Sequence, residues 1–425
     1  MGVRGTSVNL RTLPEWADLL RTLPVLDRFF QGDPHGHGMH SLLRNVRAYL
    51  ARLFDHVDRG DPVVWYNLGF NSELVYALGG LCPIPIESLG VMHNLMGTLQ
   101  TSLDFIDTAV TRGVPSDCCS ADKLAIGAMH KNLYPAPRCT VGINTPCDSQ
   151  VMATQVMAEL GHAPFFAIDV PYYHDDRTVL HVAAQLRELL RFLEQHTGRK
   201  LDYDRLREVC ALSNQMTEAI WDWLEWRKHV PCAQSSKLVA LTLILQILFA
   251  GTWEGVDLAR SLLREARERT ERGERFFEER VRAVWYQDPV WTDMQIYDWF
   301  ERDLGLTVPV DVFGFYAQEG LIDTSTPETM LTGLARKLVN CHPMARQFRS
   351  DIDVYLRDFL HMHRAWNADC GIFAGHIACK HAWGGIGLFR EACRKAGIPL
   401  IAVSSFLVRG PPFGREARPW RHSST

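Results

Sequence analysis

Residues 139–170 read CTVGINTPCDSQVMATQVMAELGHAPFFAIDV. Cys139 to Ile143 is a short apolar run that suits a buried strand. Val151 to Leu160 has helical spacing and stops at Gly161. Phe165 to Val170 is a second apolar run. A strand, a helix and a strand within roughly thirty residues make a βαβ unit, and such units build parallel sheets.

The same alternation lies on either side. Upstream, Val63 to Tyr66 reads as a strand bounded by Asp61-Pro62 and Gly69, Ser72 to Leu78 as a helix, and Leu81 to Ile86 as an extended segment. Downstream the chain turns helical: Val179, Val182, Leu186, Leu189, Leu190 and Leu193 form one apolar stripe closed by Gly198. A second helix follows Asp202, and Ser261 to Arg282 is heavily charged. Beyond Leu304 the strands return at Thr307 to Phe313, Cys370 to Ala374 and Pro399 to Val403. Helices are expected at Met330 to Val339, Asp351 to His363 and Gly387 to Ala396. The expected architecture is α/β, with a helical segment at 1–60, one lobe at 61–177, helices at 178–303, a second lobe at 304–403 and a tail at 404–425. Lobes of this kind bind ligands beyond the carboxyl ends of their strands.

A length of 425 residues suits about two or three domains, and 47% hydrophobic with 22% charged residues is a globular composition. A net charge of −4 gives no basic surplus for nucleic acid. Met1 to Leu20 lacks a secretory pattern, and the most apolar run, Leu238 to Ala250, is too short for a bilayer and reads as a buried helix. A cytoplasmic protein that spans no membrane is expected.

Eleven cysteines are present, and an odd count argues against a fully paired disulfide framework. Cys147 directly follows the strand ending at Ile143, and Cys379 the strand ending near Ala374, so these two occupy strand-to-helix loops of different lobes. With Cys119 they are candidates for one shared metal centre. Three thiolates suit an iron–sulfur cluster and leave one iron open to water or substrate. No Cys-x-x-Cys, G-x-x-x-x-G-K-[ST], G-x-S-x-G or H-E-x-x-H occurs, which removes zinc ribbons, P-loop ATP binding and two hydrolase signatures. A rival zinc site would draw on His361, His363, Cys370, His376, Cys379 and His381, but a strand through the middle points its residues to opposite faces. His35 and His37 lie in Asp33-Pro-His-Gly-His-Gly38, read as a solvated turn with metal binding as the alternative.

Several of these motifs carry a family resemblance. Cys119-x-x-x-Lys123-x-x-x-Gly127, Pro146-Cys147-Asp148, Phe166-Ala-Ile-Asp169-Val-Pro171 and the closing Ala368-Asp-Cys-Gly371, Cys379 and Gly397-Ile-Pro399 resemble the 2-hydroxyacyl-CoA dehydratase and benzoyl-CoA reductase family. Asn71-Ser-Glu73-Leu-Val-Tyr-Ala77-Leu-Gly79 resembles its N-terminal helix start, and the match runs from Val63 to Pro399. The resemblance implies two flavodoxin-like (Rossmann-like) lobes and a [4Fe–4S] cluster on Cys119, Cys147 and Cys379. It also implies a related iron–sulfur partner subunit in a heterodimer, a separate ATP-hydrolysing iron–sulfur activator and an acyl-CoA substrate.

The implied activity is elimination of water from a 2-hydroxyacyl-CoA to give an enoyl-CoA. One low-potential electron on the thioester carbonyl makes a ketyl radical, from which hydroxide leaves and in which the β-proton becomes removable. The alternatives are a benzoyl-CoA reductase-type subunit that reduces an aromatic ring, and a non-catalytic electron-transfer subunit. Glu73 is a candidate general base or a first-turn helix acid, and His376 a proton relay or a structural histidine. Cys118 could replace Cys119 as a ligand. Cys82, Cys341 and Cys370 are read as buried; were they ligands, a double-cubane [8Fe–9S] cluster in a homodimer would follow. The chain departs from the family where Asn67 stands in place of a common cysteine and Asn71 in place of a proline. It departs again in its Arg- and Pro-rich end, for which a frameshift near Val403 is expected, with a lineage-specific tail as the alternative.

Overall fold

The computed structural model describes residues 8–405 apart from 31–32, 34, 71, 96–98, 288, 290–293 and 377. Asn71 and nearly all of the unusual tail, including the frameshift reading, lie outside the described residues.

Four strands form the first sheet: β1 (Val63–Tyr66), β2 (Cys82–Pro85), β3 (Cys139–Ile143) and β4 (Phe165–Ile168). All pair in parallel, in the order β2-β1-β3-β4. Four more form the second: β5 (Val281–Gln287), β6 (Leu306–Asp311), β7 (Cys370–His376) and β8 (Leu400–Ser405), parallel in the order β6-β5-β7-β8. Each sheet therefore runs second, first, third, fourth, the flavodoxin-like order. In each, the direction of winding reverses between the first and third strands, and a crevice opens beyond their carboxyl ends.

The expected strands are present, and one unexpected strand joins them. β5 falls within the stretch read as helical, yet it is a central strand of the second sheet. Its apolar run is broken by Arg282, which disguises a buried strand as the end of a charged helix. The structure satisfies that charge: Arg282 is buried and donates to the carbonyls of Arg227 and His229 at 3.0 and 2.9 Å and to Glu279 at 2.8 Å. The charged helix itself, Trp253–Glu271, ends ten residues before β5 begins.

Between the sheets, helix Asp176–Thr197 lays its apolar face on the first lobe, capped by the Asp175 carboxylate and stopped by Gly198 at φ 71°, and Leu206, Val209 and Cys210 at the start of helix Tyr203–Trp226 join the same core. Helix Lys237–Phe249 is the apolar run noted above. No helix among the described residues is long and apolar enough to cross a membrane.

Candidate functional site

Cys119, Cys147 and Cys379 share one local position: each is the N-cap of a helix. Cys119 caps Ser120–His130, Cys147 caps Asp148–Leu160, and Cys379 caps the short turn Lys380–Gly384, where its Sγ accepts from the Ala382 amide at 3.4 Å. Cys147 and Cys379 follow β3 and β7, the third strand of each sheet, so they sit at equivalent points of the two lobes. Unpaired amides and the positive end of the helix dipole favour a thiolate at such a point. Burial works the other way. It pushes the Cys147 thiol up to about 11, Asp122 adds to the rise, and the amides of Gln150 and Ser149 oppose it. A bound metal ion reverses that balance, because a coordinating thiol gives up its proton.

The Cys119, Lys123, Gly127 spacing places all three on one face of the helix Ser120–His130. Lys123 turns back and donates to the Ser116 carbonyl at 2.8 Å, which fixes the loop that carries Cys119. Gly127 allows close packing: a Cβ there would lie 1.8 Å from the Phe105 carbonyl oxygen.

All three cysteines line one cavity, with about 1280 Å³ of space that is partly open to solvent. Pro146 and Gln150 come from the first lobe, Phe313, Phe348 and His381 from the second, and Leu243, Ile244, Ile247 and Leu248 from the intervening helix Lys237–Phe249. The cysteine loops are braced across the lobes. Ser120, beside Cys119, bonds His376 Nε2 at 3.0 Å, and His376 Nδ1 accepts from the Ala378 amide at 3.1 Å, which assigns the ring proton to Nε2. Buried Arg349 donates to Asp148, next to Cys147, at 2.8 Å and to the Val170 carbonyl at 2.9 Å, and lies 4.1 Å from the centre of the Tyr172 ring.

The family described as 2-hydroxyglutaryl-CoA dehydratase, D-component, matches residues 67–405. The chain belongs to that family. Among its relatives, the (R)-phenyllactyl-CoA dehydratase alpha subunit of Clostridium sporogenes is 21% identical over 359 residues, 81% of this chain and 84% of its own. The (R)-2-hydroxyisocaproyl-CoA dehydratase alpha subunit of Clostridioides difficile is 24% identical over 38% of this chain and 41% of its own. The (R)-2-hydroxyglutaryl-CoA dehydratase alpha subunit of Acidaminococcus fermentans is 27% identical over 24% of this chain and 23% of its own. The two-lobed flavodoxin-like architecture expected of a family member is present.

Other residues singled out in the sequence lie elsewhere. Glu73 stands in the first turn of the helix Glu73–Leu78, fully buried and outside the cavity lining. Its Oε1 accepts from Lys337 Nζ and Ser213 Oγ, both at 2.9 Å, and Lys337 also donates to Ser213 at 2.6 Å. Burial alone would raise the Glu73 carboxyl, but the Lys337 charge holds it below the usual range. His376 is buried, and desolvation with the Lys123 charge lowers it to about 4, so it is neutral near pH 7. Cys118, Cys82, Cys341 and Cys370 contribute nothing to the cavity lining. Asn67 closes the end of the sheet instead: its amide donates to the Ile143 carbonyl at 2.8 Å and its Oδ1 accepts from the Ile143 amide at 3.2 Å. Among the described residues, neither the three cysteines nor the histidine-rich set brings three ligand atoms within 4.8 Å of one another, as a single ion requires. A cubane spreads its thiolates over separate irons and suits wider spacing.

Five polar residues of the cavity carry no signature that singles them out in the sequence: Glu87, Ser88, Asn94, Asp122 and Gln150. Glu87 Oε1 accepts from Gln150 at 2.7 Å. Its Oε2, the Gln150 Oε1 and both polar atoms of Asn94 are buried without a hydrogen-bond partner. Burial, with the charge of Asp122, raises Glu87 to about 8, and burial raises Asp122 to about 6. The signal available in the sequence was position: Glu87 directly follows the apolar run Leu81 to Ile86, at the carboxyl end of a strand.

The Glu73–Lys337 pair yields a stability prediction. Lys337→Met leaves a buried carboxylate unpaired and should cost about 3–5 kcal/mol in urea unfolding. The double variant Glu73→Gln, Lys337→Met should recover most of that loss; a single variant as stable as the parent would contradict the pair's structural role.

Proposed function

We propose that this chain is the iron–sulfur subunit of an ATP-activated 2-hydroxyacyl-CoA dehydratase, with Cys119, Cys147 and Cys379 holding a [4Fe–4S] cluster. The observation that carries this reading is the convergence of three helix-capping cysteines, from two lobes, on one cavity that also holds unpartnered polar atoms. When bound, such a cluster supplies one-electron chemistry and an iron position open to an oxygen ligand. The chain has no P-loop, in keeping with ATP hydrolysis by a separate activator. The naming of its relatives as alpha subunits supports a related partner subunit. After anaerobic purification, about four irons and matching sulfide per chain are expected. Cys147→Ala should lose nearly all of both, and full iron retention in that variant would overturn the assignment.

The cavity wall narrows the substrate. Among the described residues no lysine or arginine lines it, two carboxylates do, and the rest is largely aliphatic and aromatic. An acyl chain ending in a carboxylate would be buried without a counter-charge, at a cost of several kcal/mol. The substrate is therefore a CoA thioester with an apolar side chain, like those in the names of the phenyllactyl and hydroxyisocaproyl relatives and unlike hydroxyglutaryl. With partner and activator reconstituted, kcat/KM should favour an apolar 2-hydroxyacyl-CoA over 2-hydroxyglutaryl-CoA by at least about a hundredfold. Equal values would exclude an apolar binding site.

Glu87 holds the mobile proton. With its carboxyl raised to about 8 it is protonated at neutral pH, and its unpartnered Oε2 can pass a proton to departing hydroxide. A group needed in its protonated form loses activity as pH rises through its pKa, so the rate should fall on an alkaline limb near 8. In Glu87→Gln, which keeps the Gln150 contact site, the rate should drop about 10²–10⁴-fold and that limb should vanish. A limb that survives in the variant belongs to another group.

A further inference from the structure

We propose that His35, His37 and Glu268 form a binding site for a divalent transition-metal ion, with zinc the fitting ion, far in character from the cysteine cavity. They are the group of three metal-ligating side chains, among the described residues, whose ligand atoms all lie within 4.8 Å of one another. His37 Nε2 and Glu268 Oε2 are 3.1 Å apart. Two ligands bound to one zinc ion at about 2.0–2.1 Å lie roughly 3.0–3.4 Å apart, so this pair already has the spacing of neighbours in a coordination shell. Two imidazoles and one carboxylate suit zinc and its neighbours in the first transition row. Calcium would need more oxygens than these residues offer.

The backbone presents the histidines for this purpose. The helix His37–Arg59 starts on the helix Trp253–Glu271, whose last turn carries Glu268. Gly38 makes the close approach possible: a Cβ there would lie 2.6 Å from Leu262 Cδ2. Its amide donates to Glu265 at 2.8 Å, which ties the start of one helix to the end of the other. The preceding turn is fixed by Asp33, whose Oδ1 accepts from the His35 amide at 3.1 Å. His35 and His37 thus project from a short, anchored turn toward a carboxylate on a second element.

Local charge favours a cation. Asp33, Glu265 and Glu274 surround Arg269 and neutralise it, and Arg272 is shared between Glu268 and Glu274. Four carboxylates face two guanidinium groups, which leaves the neighbourhood negative. His37, His35 and Glu268 are half-buried, so the site is open enough to load and enclosed enough to strengthen the bonds. Three protein ligands leave at least one position for water, and Asp33 and Gly36 of the same turn also line a second cavity of about 800 Å³. The ion would clamp the N-terminal helical segment to the inter-lobe helices.

The test uses the full chain and cobalt(II), because thiolate sites also take zinc and cobalt reports its ligands by colour. Wild type should bind one more equivalent of cobalt than His35→Ala, and the difference spectrum should show weak ligand-field bands without sulfur-to-cobalt charge transfer. Zinc should displace that equivalent. Loss of one ligand in His35→Ala or Glu268→Gln should weaken binding on the order of a hundredfold or more. Zinc should raise the melting temperature of wild type but not of either variant. His35 is half-exposed, so His35→Ala folds, and unchanged circular dichroism checks it. Equal cobalt stoichiometry and affinity in wild type and His35→Ala would overturn the proposal. So would a difference spectrum dominated by thiolate charge transfer, or a dissociation constant weaker than about 1 mM, the mark of casual surface binding.

Discussion

Every strand in a parallel sheet ends on the same side, so each crossover delivers a helix N-terminus to one edge of the lobe. In this protein the loop after the third strand of each lobe carries a cysteine that caps the next helix, Cys147 after β3 and Cys379 after β7. The strand order sets a crevice at that point in both sheets. Two crevices facing each other make one cavity, and Cys119, capping a third helix, completes its thiol set. The remaining elements hold that arrangement: the helix Lys237–Phe249 walls the cavity with aliphatic side chains, and the charged helix Trp253–Glu271 lies away from it.

Buried polar groups fix the lobes more firmly than apolar packing alone, because each must find a partner in low dielectric. Arg349 reaches from the second lobe to Asp148 beside Cys147, and His376 reaches Ser120 beside Cys119. Glu73 and Lys337 do the same at the back of the first lobe, where neither touches the cavity. Glu87 is the contrast. It is as buried as Glu73 but has no cation beside it, so burial raises its carboxyl instead of the pairing that lowers Glu73. Two glutamates fourteen residues apart in one lobe thereby differ in protonation and in the work each can do.

Much of this was legible from residue order. Among the described residues, seven of the eight strands stand out as short apolar runs between turn residues, and β5 does not because Arg282 interrupts its run while its partners, Arg227, His229 and Glu279, are distant in sequence or local only in one case. The spacing of Cys119, Lys123 and Gly127 was visible as a pattern, but its reason was not: Gly127 answers to the Phe105 carbonyl on another helix. Glu73 drew notice as a base because it stands at a helix start, and only the packing shows Lys337 and Ser213 against it.

By itself the sequence determined the α/β alternation, the family and the thiols worth watching, because strand and helix periodicity and residue chemistry are local properties. Tertiary structure alone decided that the two sheets share one strand order, that three cysteines distant in the chain line one cavity, and that Glu87, Asn94 and Gln150 join them. It decided also that His35 and His37 meet Glu268. The physical reason is the same in each case: proximity, burial and the sign of a pKa shift depend on which groups the fold brings together, and those groups are more than a hundred residues apart in the chain for every cross-lobe contact at the cysteine loops.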